Sequence, residues 1–231
     1  MRRPDGRLVA ARPRGRAARL PAARRAGRAR TAAAHGRLIA GRRARGPDRN
    51  EGVHVCIFCS SSDLPEEFVA HAREVAAGIA AGGHHLVWGG QNVGLMEVVA
   101  TAVRDGGGRI IAVSLDVYTE WDHPSPDEYQ VFSSLGDRKE SLLARSDAIV
   151  VLAGGLGTFD ELTEVIELGR QGHHDKPILV LNTAGFYDGL QLQLSRMHEE
   201  GVIASSPDEL VRFASDPGEI IALLDAHAAG S

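Results

Sequence analysis

The sequence has almost no cysteine and no long apolar run. Its two cysteines, Cys56 and Cys59, give no disulfide framework and suit a reducing compartment, so we expect a cytoplasmic protein. No apolar stretch approaches the ~20 residues that a membrane-spanning helix needs, so no membrane partner is expected. Both absences indicate a chain that is stabilised by packing rather than by cross-links or lipid.

Basic residues are scarce after the first 50 positions. Residues 1–50 hold 16 of the 26 Lys and Arg but only two of the 30 acids, which leaves residues 51–231 with 10 basic and 28 acidic residues, a formal charge of −18. A nucleic-acid backbone binds to a basic surface, so this excess of acids argues against nucleic acid as a partner. A small anion can still bind where a few donors converge.

Aromatic residues are absent from residues 1–50, which consist largely of Arg, Ala, Gly and Pro. Such a segment buries too little apolar surface to offset its ordering entropy, so we predict a disordered arm. A basic arm for acidic surfaces and a targeting peptide are two functional interpretations. The composition also fits GC-rich upstream DNA translated from a start placed too early, which is the interpretation we favour. A single domain would then occupy residues 51–231.

Strand-like and helix-like segments alternate through this domain. The continuous apolar runs are typical of parallel strands covered on both faces, and the alternation predicts an α/β fold, a Rossmann-like doubly wound parallel sheet with helices on both faces. Strands are expected at residues 53–58, 86–88, 109–114, 129–132, 148–152, 177–181 and 210–213. Helices are expected at residues 65–81, 95–103, 185–200 and 217–227, around Arg138 and from Thr158 onward, with an irregular loop at 115–128.

Small-residue turns follow three of the predicted strands. They are Ser60-Ser61-Ser62, Gly89-Gly90 and Gly154-Gly155. In a doubly wound sheet, ligands bind beyond the carboxyl ends of the strands, which is where all three turns would lie. The sequence therefore predicts a ligand site at this edge of the sheet.

The strongest local pattern runs from Arg138 to Glu164, with a buried strand, a glycine turn and a helix that we expect to begin at Thr158. Free N–H groups at a helix start, behind glycines that lack a Cβ atom, form a site for a phosphate. Asp160 and Glu161 would lie in the first turn of this helix, where acids can also simply stabilise the helix dipole. A purely structural turn has the same pattern.

Two other kinds of site lack their signatures. No Gly-x-Gly-x-x-Gly follows the first strand, so NAD and FAD are not expected. Cys56 lies inside a predicted strand rather than at a helix start, which favours structural over redox-active cysteines. The adjacent pairs His84-His85 and His173-His174 lack metal-ligand spacing, so no metal is expected.

The run Gly154-Gly155-Leu156-Gly157-Thr158-Phe159-Asp160-Glu161, preceded by Arg138-Lys139, resembles the Pro-Gly-Gly-x-Gly-Thr-x-x-Glu plus Arg-Lys signature of the LOG (Lonely Guy) family. Members of that family are cytokinin riboside 5′-monophosphate phosphoribohydrolases, long mislabelled as lysine decarboxylases. The resemblance spans roughly residues 53–225. Further motifs match in order, namely Phe58-Cys59-Ser60-Ser61-Ser62, Gly89-Gly90 with Gly94-Leu95-Met96, and His174-Asp175-Lys176-Pro177.

The resemblance implies hydrolysis of the N-glycosidic bond of a purine nucleoside 5′-monophosphate, of cytokinin type or AMP, by a homodimer without metal or cofactor. Arg138 and Glu161 match the catalytic positions. The carboxylate would stabilise an oxocarbenium-like transition state, and the guanidinium would bind phosphate or ribose oxygens. Implied substrate-binding residues are Glu120, Lys139, Gly154, Gly155, Leu156, Gly157, Thr158, Phe159, Asp160, Ser61, Ser62, Gly89 and Gly90.

Lysine is too scarce for lysine decarboxylation. That chemistry uses a lysine in a Schiff base with pyridoxal phosphate, and only Lys139 and Lys176 occur in the chain. Lys176 precedes a proline at a strand entrance, which favours a structural role. Lys139 belongs to the Arg-Lys motif, so we expect it to bind an anion.

The chain departs from the family pattern at Ser60, Gln91, Leu135-Gly136, Ala153 and Glu167, where the family has Gly, Gly, Met-His, Pro and Thr. Several of these positions face the substrate in the family, so we expect a purine nucleotide other than the cytokinin one, for example AMP. Two alternatives stay open. The chain could be a nucleotide-binding or carrier protein without turnover, and Arg138 could pair with Asp137 or Glu140 on a solvated helix.

Overall fold

The computed structural model describes residues 52–230; the predictions made for residues 1–50 lie outside this range. The strands are β1 His54–Phe58, β2 His85–Trp88, β3 Ile110–Leu115, β4 Glu128–Phe132, β5 Ala148–Val151, β6 Ile178–Leu181 and β7 Arg212–Ala214. The α-helices are α1 Glu66–Ala81, α2 Gly94–Asp105, α3 Leu135–Ala144, α4 Leu156–Arg170, α5 Asp188–Glu199, α6 Pro207–Leu210 and α7 Pro217–Gly230. Two 3₁₀ helices, Asp116–Trp121 and Thr183–Gly185, complete the described elements.

The strands form one parallel sheet in the order β4-β3-β2-β1-β5-β6-β7. The chain moves outward from β1 to β4, returns to β5 beside β1, and moves outward again on the other side. The order therefore switches between β1 and β5, and at such a switch the crevice outside the carboxyl ends of the strands accepts a ligand. The predicted doubly wound fold is confirmed.

Alternate residues of the central strands face two different helical layers. Val55 and Ile57 pack in the layer of α1, α2 and α7, whereas Cys56 and Phe58 pack in the layer of α3, α4 and α5. All of β5 is buried, as its unbroken apolar sequence predicts. Burial of each aliphatic side chain contributes about 1.5–3 kcal/mol of transfer free energy. The packing of both layers therefore holds in place the central strands, which are followed by the small-residue turns.

Helix α4 begins two residues earlier than predicted, at Leu156 instead of Thr158. Gly155 is the extended N-cap residue, and Leu156 is a good helix former, so the helix starts directly after the glycines. Its first turn contains no acid. Asp160 and Glu161 therefore do not lie in the first turn, and a favourable interaction with the helix dipole no longer explains them, since that effect is confined to the first turn.

Other segments also differ from prediction. The expected irregular loop at residues 115–128 contains the 3₁₀ helix Asp116–Trp121. The helix expected at residues 185–200 begins at Asp188, because Ala184 has φ of +52° and the Asn182 side chain accepts the Tyr187 N–H. The last strand begins at Arg212 because Leu210 belongs to α6, which starts with a proline and in which Glu209 accepts the Ser206 N–H.

Candidate active site

Arg138 of α3 and Glu161 of α4 form an ion pair at the carboxyl edge of the sheet. Arg138 Nη1 donates to Glu161 Oε1 at 3.2 Å, and the two side chains are 9% and 15% exposed. The alternative in which Arg138 pairs with Asp137 or Glu140 on a solvated helix is wrong. A nearly buried guanidinium and a nearly buried carboxylate, from residues 23 positions apart, are instead held together.

The rest of the Arg138 guanidinium is held by the ends of two strands. Its Nε donates to the Val113 carbonyl of β3 at 2.9 Å. Its Nη2 lies against Gly89, directly after β2, so closely that a Cβ atom there would overlap it. The guanidinium thus joins β2, β3 and α4, and a glycine at position 89 is needed to leave room for it.

Glu161 lies in a low-dielectric environment. Burial raises the pKa of its carboxyl above the usual 4.5, although the charge and hydrogen bond of Arg138 act in the opposite direction. Burial chiefly, and then the Glu161 charge, raise the pKa of the Cys56 and Cys59 thiols, which places both cysteines near this carboxylate as neutral groups. In such surroundings a carboxylate interacts strongly with any positive charge that develops beside it.

The start of α4 provides N–H groups without intrahelical acceptors. No side chain caps this helix, and its first N–H bond runs from Phe159 to the Gly155 carbonyl at 3.0 Å, so the N–H groups before Phe159 are available to a ligand. Thr158 is 5% exposed and lies over Gly154, where a Cβ atom would overlap its hydroxyl. A Cβ on Gly155 would contact nothing within 4 Å. This geometry suits a phosphate approaching over the glycines.

The turns after β1, β2 and β5 contact one another. The Ser60 N–H donates to the Ala153 carbonyl at 3.0 Å, which joins the turn after β1 to the end of β5. Gly94, at φ of +55°, approaches the backbone of Ser61 and Ser62 so closely that a Cβ atom would lie 2.6 Å from it. The predicted convergence of small-residue turns at one edge is therefore present, with Ser61 and Ser62 exposed.

Lys139 contacts protein carboxylates rather than open space. Its Nζ donates to Asp160 Oδ2 at 3.0 Å and also pairs with Glu164, because α3 lies beside α4. Burial lowers the pKa of Lys139, but its hydrogen bonds to Glu164 and Asp160 outweigh this and raise it. The anions that hold this lysine are thus side chains of α4, an arrangement that the spacing of the motif does not reveal.

Glu120 lies on the exposed 3₁₀ helix Asp116–Trp121 and has no hydrogen bond or ion pair to a residue within 52–230. The segment that carries it does reach the site. The Asn92 N–H donates to the Trp121 carbonyl, and the His123 N–H donates to the Gly90 carbonyl, both at 2.7 Å. Glu120 is therefore carried beside the turn after β2 with its carboxylate free.

Glu167, where the family has threonine, is turned along the exposed face of α4. It accepts hydrogen bonds from Arg170 and Gln171 of the end of the same helix. Gln91, where the family has glycine, forms a β-bridge to Asp122. Asp122 was not among the residues selected from the sequence, since a single carboxylate in a presumed loop gives no periodic or motif signal.

No group of three or more His, Cys, Asp or Glu side chains within residues 52–230 is arranged to bind a metal ion. In the same range, no helix combines the length and the apolar character needed to cross a lipid bilayer. Lys176 Nζ donates to the Leu143 carbonyl. Both lysines thus donate hydrogen bonds to groups of the protein itself.

Comparison with known proteins identifies one family model and several sequence relatives that share one printed activity. A family model described as "Possible lysine decarboxylase" matches residues 96–224. The cytokinin riboside 5′-monophosphate phosphoribohydrolase of Mycobacterium tuberculosis is 38% identical over 157 residues, which are 67% of this chain and 84% of that protein. LOG3 of Arabidopsis thaliana, named for the same activity, is 32% identical over 177 residues, covering 75% of this chain and 82% of that protein.

Solved structures share the fold. The molybdenum cofactor binding protein of Rippkaea orientalis superposes with a TM-score of 0.59 at 22% identity, over 77% of this chain and 97% of that one. The Moco carrier protein of Chlamydomonas reinhardtii gives 0.60 at 20% identity, over 78% and 99%. At such identities the likeness shows the architecture alone.

The sequence relatives are more informative than the structural ones. Several of them have the same printed activity, and the range of the family model, residues 96–224, includes both the Arg-Lys motif and the glycine turn. The chain therefore belongs to the LOG family, the relatives of the cytokinin riboside 5′-monophosphate phosphoribohydrolases.

Proposed function

We propose that this protein hydrolyses the N-glycosidic bond of a nucleoside 5′-monophosphate, with water as co-substrate and a free base and ribose 5-phosphate as products. The observation that carries the proposal is the buried Arg138–Glu161 pair beside the open start of α4. The names of the sequence relatives support the same reaction class.

The 5′-phosphate would bind over residues 154–158. Its charge would be stabilised by the free N–H groups at the start of α4 and by the positive end of the helix dipole. Gly155 and Gly157 leave the approach open, since a Cβ atom at either position would meet nothing within 4 Å. The Thr158 hydroxyl adds a donor at the same place.

Glu161 would then lie beside the ribose, one turn further along the helix. As the bond from C1′ to the base breaks, positive charge develops on the ribose ring, and the Glu161 carboxylate stabilises it. Arg138 would orient this carboxylate and favour its ionised form, and we expect its remaining N–H groups to donate to ribose or phosphate oxygens. Water adds at C1′, and the base leaves with a proton.

Lys139 and Asp160 would contribute to binding through α4 rather than directly. Their ion pair connects α3 to α4 through the residues that directly adjoin Arg138 and Glu161 in the sequence. Glu120, with its free carboxylate near the turn after β2, is the proposed contact for the base. We expect no metal or cofactor in this reaction.

One structural feature supports the homodimer that the family resemblance implies. Leu156 is 89% exposed and Phe159 is 43% exposed, both at the start of α4 beside the proposed phosphate site. Large exposed apolar side chains next to a functional site are typical of surfaces that a second copy covers. The cytoplasm stays the expected compartment.

The experiment that tests the function measures free base and bound nucleotide together. Purified protein is incubated with AMP and other nucleoside 5′-monophosphates, products are separated by chromatography, and affinity is measured by calorimetry. We expect base and ribose 5-phosphate in equal amounts. Tight binding of the nucleotide without release of base over many hours would support the carrier alternative instead.

A further inference from the structure

The side chain of Asp122 joins three segments near the site. Its Oδ1 accepts the Ser114 hydroxyl of β3 at 2.7 Å, and its Oδ2 accepts the Tyr129 hydroxyl of β4 at 2.5 Å. Ser114 is fully buried. Both oxygens of one carboxylate are thus used to connect the end of the 3₁₀ helix Asp116–Trp121 to two strands of the sheet.

The backbone around Asp122 is paired with the turn after β2. Asp122 and Gln91 form an antiparallel bridge, with the His123 N–H donating to the Gly90 carbonyl. Gly90 has φ of +86°, and a Cβ atom there would lie 3.5 Å from Asp122 Oδ1 and 3.3 Å from Ser114 Cβ. The turn is therefore held between Asp122 and the sheet.

This turn also contacts the proposed catalytic arginine, Arg138. Gly89 lies against Arg138 Nη2, and Gly90 lies against Asp122. A displacement of residues 89–92 would consequently change the space around the guanidinium. It would also move the segment that carries Glu120.

The 3₁₀ helix is otherwise held by the bond from the Asn92 N–H to the Trp121 carbonyl and by contacts with β3 and β4. It is six residues long, and none of its residues is buried. Short 3₁₀ helices have poor hydrogen-bond geometry of their own, so their position depends on outside contacts. Burial, and then the hydrogen bond to Asp122, raise the pKa of Tyr129 to about 12, so its hydroxyl stays a donor at neutral pH.

We propose that Asp122 is a positioning residue whose side chain clamps the end of the Asp116–Trp121 helix onto β3 and β4, next to the turn after β2, and thereby fixes Glu120 beside the bound base. The role in base binding rests on the proposed nucleotide hydrolysis. The clamp itself is a property of the folded chain and is measurable without substrate.

Tryptophan fluorescence tests the clamp directly. The chain has two tryptophans, of which Trp88 is fully buried, so quenching by acrylamide reports mainly on the partly exposed Trp121. We expect Asp122→Ala to increase the quenching constant by about twofold, since the adjacent segment loses both side-chain bonds. Asp116→Ala is the matched control, because it removes the same charge from the other end of the same helix, where the side chain makes no hydrogen bond or ion pair to a residue within 52–230.

Kinetics test the consequence for the base. We expect Asp122→Ala to raise KM for the nucleotide by about tenfold with a smaller change in kcat, and Tyr129→Phe, which removes one hydroxyl only, to have an intermediate effect. Inhibition by ribose 5-phosphate, which has no base, should be unchanged. If Asp122 acts through Glu120, the effect of Asp122→Ala should nearly vanish in a Glu120→Ala background.

The outcomes separate the two proposals. Unchanged Trp121 quenching in a folded Asp122→Ala protein, checked by circular dichroism, overturns the clamp. If the quenching changes but Asp122→Ala raises KM by the same factor in the wild type and in the Glu120→Ala background, the link to Glu120 is wrong. Absence of base release by the wild type from every nucleotide refutes the proposed function, and the fluorescence result then still decides whether the clamp exists.

Discussion

Gly89 and Arg138 occupy one continuous volume: the Nη2 atom of the arginine fills the space in which a side chain on residue 89 would begin. Met96 closes the same space from α2, with its Cε atom 2.7 Å from the position of such a Cβ atom. The guanidinium therefore has little freedom to move, and its contact with Glu161 is fixed by packing as well as by charge.

We predict that Gly89→Ala removes most of the activity while the protein still folds. The added methyl group must displace Arg138, and a small misplacement of a catalytic group costs on the order of 10²-fold in rate. The measurement is kcat/KM together with thermal unfolding. Gly189→Ala on α5 is the control, because a Cβ atom there meets nothing within 4 Å and activity should not change. Full activity of Gly89→Ala would show that the close contact has no catalytic consequence.

The pH dependence of the reaction should reflect Glu161. The pKa of this buried carboxyl is raised above 4.5, and the proposed mechanism needs the ionised form, so kcat/KM should fall on acidification with a midpoint above pH 4.5. Arg138 lowers this pKa, so Arg138→Gln should move the midpoint of its residual activity to higher pH. A midpoint that stays in place or falls would contradict the assignment.

The same shift has a consequence for stability. The folded protein holds the Glu161 proton more tightly than the unfolded chain does, so this residue lowers the free energy of unfolding as pH rises from 4.5 through the folded pKa. The cost is largest above that pKa, where the buried carboxylate is ionised. This destabilisation is expected of a largely buried carboxylate, and it fits the proposed catalytic role of Glu161.

Lys139 should affect stability through α4. We predict that Lys139→Met lowers the free energy of unfolding by about 0.5–1 kcal/mol, the range of a partly exposed ion pair, because Asp160 and Glu164 lose their common partner. In an Asp160→Asn background the loss should be smaller, and urea unfolding of the four proteins measures this coupling. Strict additivity of the two changes would show that the pair does not interact in solution.

Substrate preference should follow the positions at which the chain departs from its family. Gln91 is tied to Asp122 near Gly90, and Glu167 is engaged with Arg170, so neither matches the family's glycine or threonine in size or contacts. We predict a higher kcat/KM for AMP than for isopentenyladenosine monophosphate. The comparison is made by chromatography of the released bases at equal enzyme concentration. A strong preference for the isopentenyl nucleotide would refute this expectation.

The sequence was sufficient for the sheet and for the edge that carries the site. Unbroken apolar runs such as Ala148 to Leu152 specify buried parallel strands, and turns that follow such strands must meet at their carboxyl ends. The resemblance of the Arg-Lys pair and of the glycine turn to the LOG signature also selected Arg138 and Glu161. That these two side chains meet, however, is a fact of the packing of α3 on α4.

What the sequence could not give are contacts between distant segments. The α4 boundary was misplaced because glycines mark a turn without saying which following residue is the first helical one. The carboxylate partners of Lys139 depend on how α3 lies against α4, and those of Asp122 depend on the path of residues 116–123 over the sheet. Neither arrangement has a period or spacing that a single sequence displays.

The most direct test compares base release by the wild type, Glu161→Gln and Glu140→Gln. Glutamine keeps the shape of residue 161 but removes the charge that would stabilise the ribose cation, so AMP hydrolysis should fall on the order of 10²–10³-fold. Glu140 is an exposed residue of α3 that takes no part in the Arg138–Glu161 ion pair, so the Glu140→Gln variant should keep full activity. Glu161→Gln protein that releases adenine at the wild-type rate would contradict the account.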